Sequence, residues 1–244
     1  MKIIKNLLFP ALLATIVLSS CNNENDCIKE DGNIITKTLS LDPVIGFRLY
    51  ESADIIINQG DKQEIKVTGS QNIIDRLKTG VTDSIWNIEF GKECFDYGEL
   101  TIEMTIPKIN YMSIIGTGNI KVKDFEDNGD MDISSAGTAD IEINSISGIY
   151  ALDIIISGTC NVDAIGNISS LKKFNINISG TGNVRAYPVI TRSCIINIPG
   201  TGNCYVNVIE NLEVNISGTG NVYYKGHPEI DENISGTGKI YNMN

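Results

Sequence analysis

The chain has 244 residues, 42% of them hydrophobic and 7% aromatic, with 30 Asp and Glu against 19 Lys and Arg and a formal net charge of −11. A polyanion of this kind, with no basic patch interleaved with aromatics, is a poor partner for nucleic acid. A single histidine, His227, and cysteines without Cys-x-x-Cys spacing fit no zinc pattern, and no cofactor is implied.

At the N-terminus, Lys2 and Lys5 precede an apolar run from Leu7 to Leu18, followed by Ser19-Ser20-Cys21. The run is too short to span a bilayer and has the order of a cleavable signal peptide, residues 1–20. Leu18-Ser19-Ser20-Cys21 resembles the lipobox of bacterial lipoproteins. That resemblance implies that the Cys21 thiol takes a diacylglyceryl group and becomes the first mature residue, its acyl chains anchoring the protein to a membrane. Loss of Lys2 and Lys5 takes the net charge to about −13. Residues 21–33 open with the polar, acidic stretch Cys21-Asn22-Asn23-Glu24-Asn25-Asp26, which suits a flexible tether, and acids in this place resemble surface-export signals of some Gram-negative lipoproteins. Lipidation leaves Cys27, Cys94, Cys160, Cys194 and Cys204 in an oxidising compartment, an odd number that requires a free thiol or an intermolecular bond.

Residues 34–111 alternate apolar and polar side chains in short runs such as Ile65-Lys66-Val67 and Ile102-Glu103-Met104-Thr105-Ile106, divided by turn signals such as Asn58-Gln59-Gly60-Asp61. The alternation predicts strands, with a short helix around Ile73 to Lys78. The pattern fits early coils of a solenoid and a separate capping sheet equally well, and some cap is required at an open end.

From residue 112 to 241 a repeat decides the fold. Seven related turns begin at Gly116, Gly137, Gly158, Gly180, Gly200, Gly218 and Gly236, spaced 21, 21, 22, 20, 18 and 18 residues apart. A period near twenty is that of one β-helix coil, so the expected class is all-β, a right-handed parallel β-helix (solenoid) with coils of about 18–22 residues. Positions two, four and six before the corner glycine and four after it are nearly all aliphatic, which commits them to the interior. Cys194 and Cys204 occupy such positions and read as buried free thiols, the alternative being a disulfide across the coil. The glycines mark corners that need a positive φ or a close backbone approach, and the asparagine three positions on tolerates the left-handed region. A second asparagine file, Asn177, Asn197, Asn215 and Asn233, can hydrogen-bond from rung to rung, as can the threonine column.

The run Phe47 to Gly60, the segment Ile106-Pro107 leading to Ile114-Ile115-Gly116-Thr117-Gly118-Asn119, and the recurring Ile-Ser-Gly-Thr-Gly-Asn resemble the putative auto-transporter adhesin, head GIN domain family. The resemblance covers about residues 40 to 241 and departs at Ala139-Asp140, Cys160, Pro199 and Lys239. It implies a Gram-negative envelope protein with a right-handed β-helix and offers no catalytic residues to carry over. The organisation expected is a signal peptide (1–20), a tether (21–33) and one GIN-type solenoid (34–241), lipid-anchored at the outer membrane on its periplasmic or surface face.

With the interior filled, specific chemistry is confined to outward positions. The file five residues after the glycine reads Lys121, Glu142, Asp163, Arg185, Tyr205, Tyr223 and Tyr241. With Tyr187 and Tyr224 near, it predicts an aromatic strip for sugar rings or a protein partner, or else a stack that only stabilises a parallel sheet. The candidate ligand-binding residues are Arg185, Tyr187, Tyr205, Tyr223 and Tyr241. Asp124, Glu126, Asn128, Asp130 and Asp132 alternate as in a calcium loop, without flanking helices and with Ser135 in place of the bidentate glutamate; a solvated acidic loop is the competing reading. The function expected is a non-enzymatic envelope adhesin or surface-binding module, the alternatives being a passive structural or envelope-stress component and a polysaccharide-degrading enzyme. The last needs converging carboxylates, for which adjacent Glu142 and Asp163 are the nearest offer.

Overall fold

The structure, a computed structural model, describes residues 27–126, 128–166 and 168–244; Cys21, the expected lipidation site, lies outside them. It is a parallel β-solenoid in which each coil has one strand before its Gly-Thr corner and one after it. Before the corner, Tyr111–Ile114 stacks on Met131–Ser135, which stacks on Ala151–Ile156 and then on Ile168–Ile178, all parallel. After the corner, Thr117–Val122, Thr138–Ile143, Thr159–Ala164 and Thr181–Ile198 stack likewise, threonine over threonine. From residue 168 onward strands run on through the far side of the coil, with register shifts between Arg185 and Ile190 and between Thr191 and Ser193.

The aliphatic files form the core. Ile156, Ile178, Ile198 and Ile216 lie one above another two positions before the glycine, and Val162, Val184, Cys204 and Val222 four after it, all buried. The files keep register into the last strands, Glu229–Ile234 and Ile240–Asn242, where Ile230 and Ile234 are each 37% exposed. Cys194 and Cys204 sit in the files as buried free thiols.

The corner glycines owe their identity to crowding alone. A Cβ on Gly137 would strike the carbonyl oxygen of Gly116, and the same relation joins Gly158 to Gly137, Gly180 to Gly158, Gly200 to Gly180 and Gly218 to Gly200. One straight column of backbone results. None of these glycines has a positive φ, so of the two roles expected of them the close backbone approach is the one realised; the asparagines after them do not enter the left-handed region either. The asparagines form an amide ladder instead: Asn183 Nδ2 donates to Asn161 Oδ1 at 2.9 Å, Asn203 to Asn183 at 3.1 Å and Asn221 to Asn203 at 3.2 Å.

The N-terminal region is both coil and cap. Gly46–Leu49 and Asp54–Gln59 form a coil parallel to Tyr111–Ile114 and Thr117–Val122. Ile85–Ile88 and Thr101–Ile106 form another on its opposite side, so the chain lays down an inner coil before the outer one. Glu64–Ser70 runs antiparallel to Thr101–Ile106, and Ile34–Leu39 antiparallel to Glu64–Ser70, closing this end. The helix is Gln71–Ile74, earlier and shorter than expected, with Ile73 and Ile74 buried. A disulfide joins Cys27 to Cys94, and Ile28–Lys29 pairs with Phe95–Asp96. The expected tether of residues 21–33 is therefore too long at its C-terminal end, because residues from Cys27 on are fastened to the body.

Candidate binding surface

Two outer walls meet at the Gly-Thr corner. On the wall after it, the register places Arg185, Tyr205, Tyr223 and Tyr241 in one file. Tyr205 and Tyr223 stack with centroids 4.7 Å apart and planes 7° from parallel, and Tyr223 and Tyr241 at 5.0 Å and 12°. Tyr187 meets Tyr205 edge-on at 5.7 Å, and Lys225 Nζ lies 4.7 Å above the Tyr187 ring. Burial, then the neighbouring Tyr205 and Tyr223, push the Tyr187 phenol above its ordinary pKa. Arg185 Nη1 donates to both oxygens of Asp163, at 2.9 and 3.2 Å. The five predicted residues are thus brought together, but largely for one another. The stacked rings hide their faces, leaving hydroxyl edges and the outer side of Tyr241, which is 39% exposed. Tyr224 points into the core.

The acidic segment does not converge. Asn128 is fully buried, its amide accepting from Ile109 N at 2.8 Å and donating to Ile109 O at 2.6 Å. Asp124 Oδ1 accepts from Ser145 N, and Asp130 Oδ1 from Tyr150 N and Ala151 N. Asp132 lies on the strand Met131–Ser135, and Glu126 is exposed beside Gln59, whose Oε1 accepts from its backbone N–H. Among the described residues no group of three or more His, Cys, Asp or Glu side chains is placed to hold a metal ion. Glu142 and Asp163 are register partners, but Asp163 is already engaged by Arg185. Burial raises the Cys160 thiol to about 11 and lifts Cys194 and Cys204 further, so all three remain protonated at neutral pH.

The wall before the corner carries a groove of about 510 Å³ that sequence reasoning missed. Five positions before the glycine, Tyr111, Asp132, Asp153 and Asn175 are successive register partners; three before it, Ser134, Ile155, Asn177 and Asn197 are. Asn175 Nδ2 donates to Asp153 Oδ1. Burial, followed by the charge of Asp153, holds the Asp132 carboxyl above the usual carboxylate pKa. Ile155 is 49% exposed in the middle of these polar rows. The available signal was the same alternation that revealed the core, applied to the outward residues of these strands.

A family model described as putative auto-transporter adhesin, head GIN domain, matches residues 46–228. The crystal structure of a putative adhesin from Bacteroides fragilis is similar, with a TM-score of 0.76 at 20% identity, over 88% of this chain and 100% of that one. That of a putative lipid binding protein from Parabacteroides distasonis gives 0.65 at 20% identity, over 89% and 99%. A putative adhesin from Parabacteroides merdae gives 0.61 at 17% identity, over 89% and 99%. No curated protein matches the chain.

Proposed function

Since the chain belongs to the putative auto-transporter adhesin, head GIN domain family, we propose that it is a non-enzymatic binding module of the cell envelope. It is a lipid-anchored head that recognises a glycan or a protein through its outer walls. One observation carries this reading: the inward files are filled by aliphatic side chains and protonated thiols, so recognition falls to the outward files. Support for the anchor comes from the lipobox-like Leu18-Ser19-Ser20-Cys21. The disulfide at Cys27 favours an upright stance, because the six chain steps from Cys21 to Cys27 reach at most about 22 Å and would hold the capped end beside the lipid.

Protease treatment of intact cells tests the proposal, with Cys21→Ala as the anchor control. The expected result is release of the folded solenoid from cells carrying the parent and loss of membrane association in the variant. Protection until the outer membrane is permeabilised would place the head in the periplasm, and product formation on a bound glycan would return the enzyme class.

A further inference from the structure

We propose that the groove on the wall before the corner, Tyr111 to Asn197, is the ligand site and that it takes a linear, uncharged polysaccharide chain lying along the solenoid axis. This rests on the surface-binding reading above and gives it a substrate class and a place. The groove crosses five coils, and with rungs about 4.8 Å apart it is roughly 20 Å long. That rise is close to the advance of one β-linked pyranose, so successive sugars would meet equivalent positions on successive coils.

The two files supply the complementary chemistry. Asp132, Asp153 and Asn175 offer short carboxylate and amide groups to sugar hydroxyls, and the Asn175 bond to Asp153 fixes part of that row in advance. Little side-chain freedom remains to be lost on binding. Ile155, exposed between Ser134 and Asn177, gives the C–H face of a sugar ring a dry contact. Tyr111 ends the row as a half-buried ring, with the Arg48 guanidinium 5.2 Å from its centroid. The raised Asp132 carboxyl is consistent with a group that gains from a hydroxyl donor placed against the acidic pair.

An extended peptide fits less well. The strands beneath the groove, Met131–Ser135 and Ala151–Ile156, are paired on both sides, so no edge is free for backbone pairing. Anionic polymers are disfavoured by the two aspartates. On the wall after the corner, Arg185 is paired with Asp163 and the tyrosines cover one another's faces, which leaves those residues less free for a ligand.

Isothermal titration of the full chain with cellohexaose, chitohexaose and a galacturonate hexamer tests the assignment. Binding of one of the two uncharged hexamers, at least tenfold weaker for its trimer and absent for the galacturonate, is expected. Asp153→Ala with Asn177→Ala should weaken it at least tenfold, and Ile155→Lys should do the same by itself; both variants alter outward side chains, and unchanged far-ultraviolet circular dichroism spectra with a cooperative melt verify the fold. Binding lost on changing Tyr205, Tyr223 and Tyr241 to serine but kept in the groove variants would overturn the groove. A parent that binds no uncharged hexamer, yet adheres to cells or to a protein surface, would overturn the glycan and leave the binding module standing. Absence of all adhesion would remove both.

Discussion

Ser135 and Cys160 break the repeat at positions that touch, and the structure makes their replacement a coupled event. The isoleucine two positions before a corner packs against the residue two positions after the next corner. A Cβ on Gly202 would lie 2.7 Å from Ile178 Cγ2, one on Gly220 2.8 Å from Ile198 Cγ2, and one on Gly238 2.8 Å from Ile216 Cγ2. A methyl is tolerated once, where Ala139 follows Ile114. Cys160 is larger, and the residue ahead of it is Ser135, whose buried hydroxyl has no partner beyond the weakly hydrogen-bonding Cys160 thiol. Ser135→Ile alone should overpack the site at about 1–3 kcal/mol. Cys160→Gly alone should leave a hole beside that hydroxyl, costing about 1–3 kcal/mol. Together the changes restore the later coils' pairing and replace a poorly satisfied hydroxyl, a penalty of up to about 3 kcal/mol, with a buried isoleucine side chain. The double variant should match or exceed the parent, with a coupling of at least about 2 kcal/mol. In a domain of this size each kcal/mol moves the Tm by roughly 2–4 °C, so the four proteins should separate in thermal melts followed by circular dichroism. Additivity of the single effects within about 0.5 kcal/mol would refute the packing argument.

The corner column gives a second test. Gly158→Ala drives a methyl into the Gly137 carbonyl and should destabilise by about 1–3 kcal/mol or more, whereas Gly80→Ala, where a Cβ meets nothing within 4 Å, should leave the urea midpoint unchanged. The third concerns pH. Because burial and Asp153 raise the Asp132 carboxyl in the folded state, the fold binds that proton more tightly than the unfolded chain does. Stability from this group is therefore gained as pH falls into the window just above the ordinary carboxylate value and lost as pH rises through it. Asp132→Asn should melt higher than the parent at pH 7, with the difference shrinking toward pH 4; a constant difference would show that the charge is not the cause.

The solenoid was legible because two independent signals agreed, the glycine spacing and the alternation of Ile, Val and Leu around it. Stacking multiplies each by the number of coils, so single departures such as Cys160 or Pro199 do not obscure them. The region before residue 111 lacks the glycine column, and there alternation identifies strands without ordering them. That Asp54–Gln59 lies between Thr101–Ile106 and Thr117–Val122 is set by pairing between distant segments, which no local pattern carries. The bond from Cys27 to Cys94 depends on the same long-range path. The corner glycines were located correctly, with two reasons left open between which the structure decides, since sequence cannot tell a residue that needs a positive φ from one that needs an empty Cβ. Of the candidate site, the tyrosine file was placed correctly and its stacking anticipated as an alternative, while the groove required reading the outward residues of the preceding strand.

In a fold whose interior repeats, an outward residue that also repeats is accounted for by the stack. The Asn161, Asn183, Asn203 and Asn221 ladder bonds to itself from rung to rung, and the hydroxyls of Thr181 and Thr201 lie 3.1 Å apart. Stacking accounts for Asp153, which accepts from Asn175 on the next rung, but not for Asp132 beside it, because like charges on adjacent rungs weaken a sheet; the same file repeats the arrangement at Glu213 and Asp231. Nor does stacking explain Glu232, a carboxylate in register with Val214, in a file that is otherwise apolar. At the terminal coil an inward-file charge discourages another sheet edge from adding to Glu229–Ile234, which fits the general need to protect exposed strands. Asp132 and Asp153 lie among central coils where no edge needs protection, so their charge faces solvent on the outer wall, where it is available to the ligand proposed for the groove.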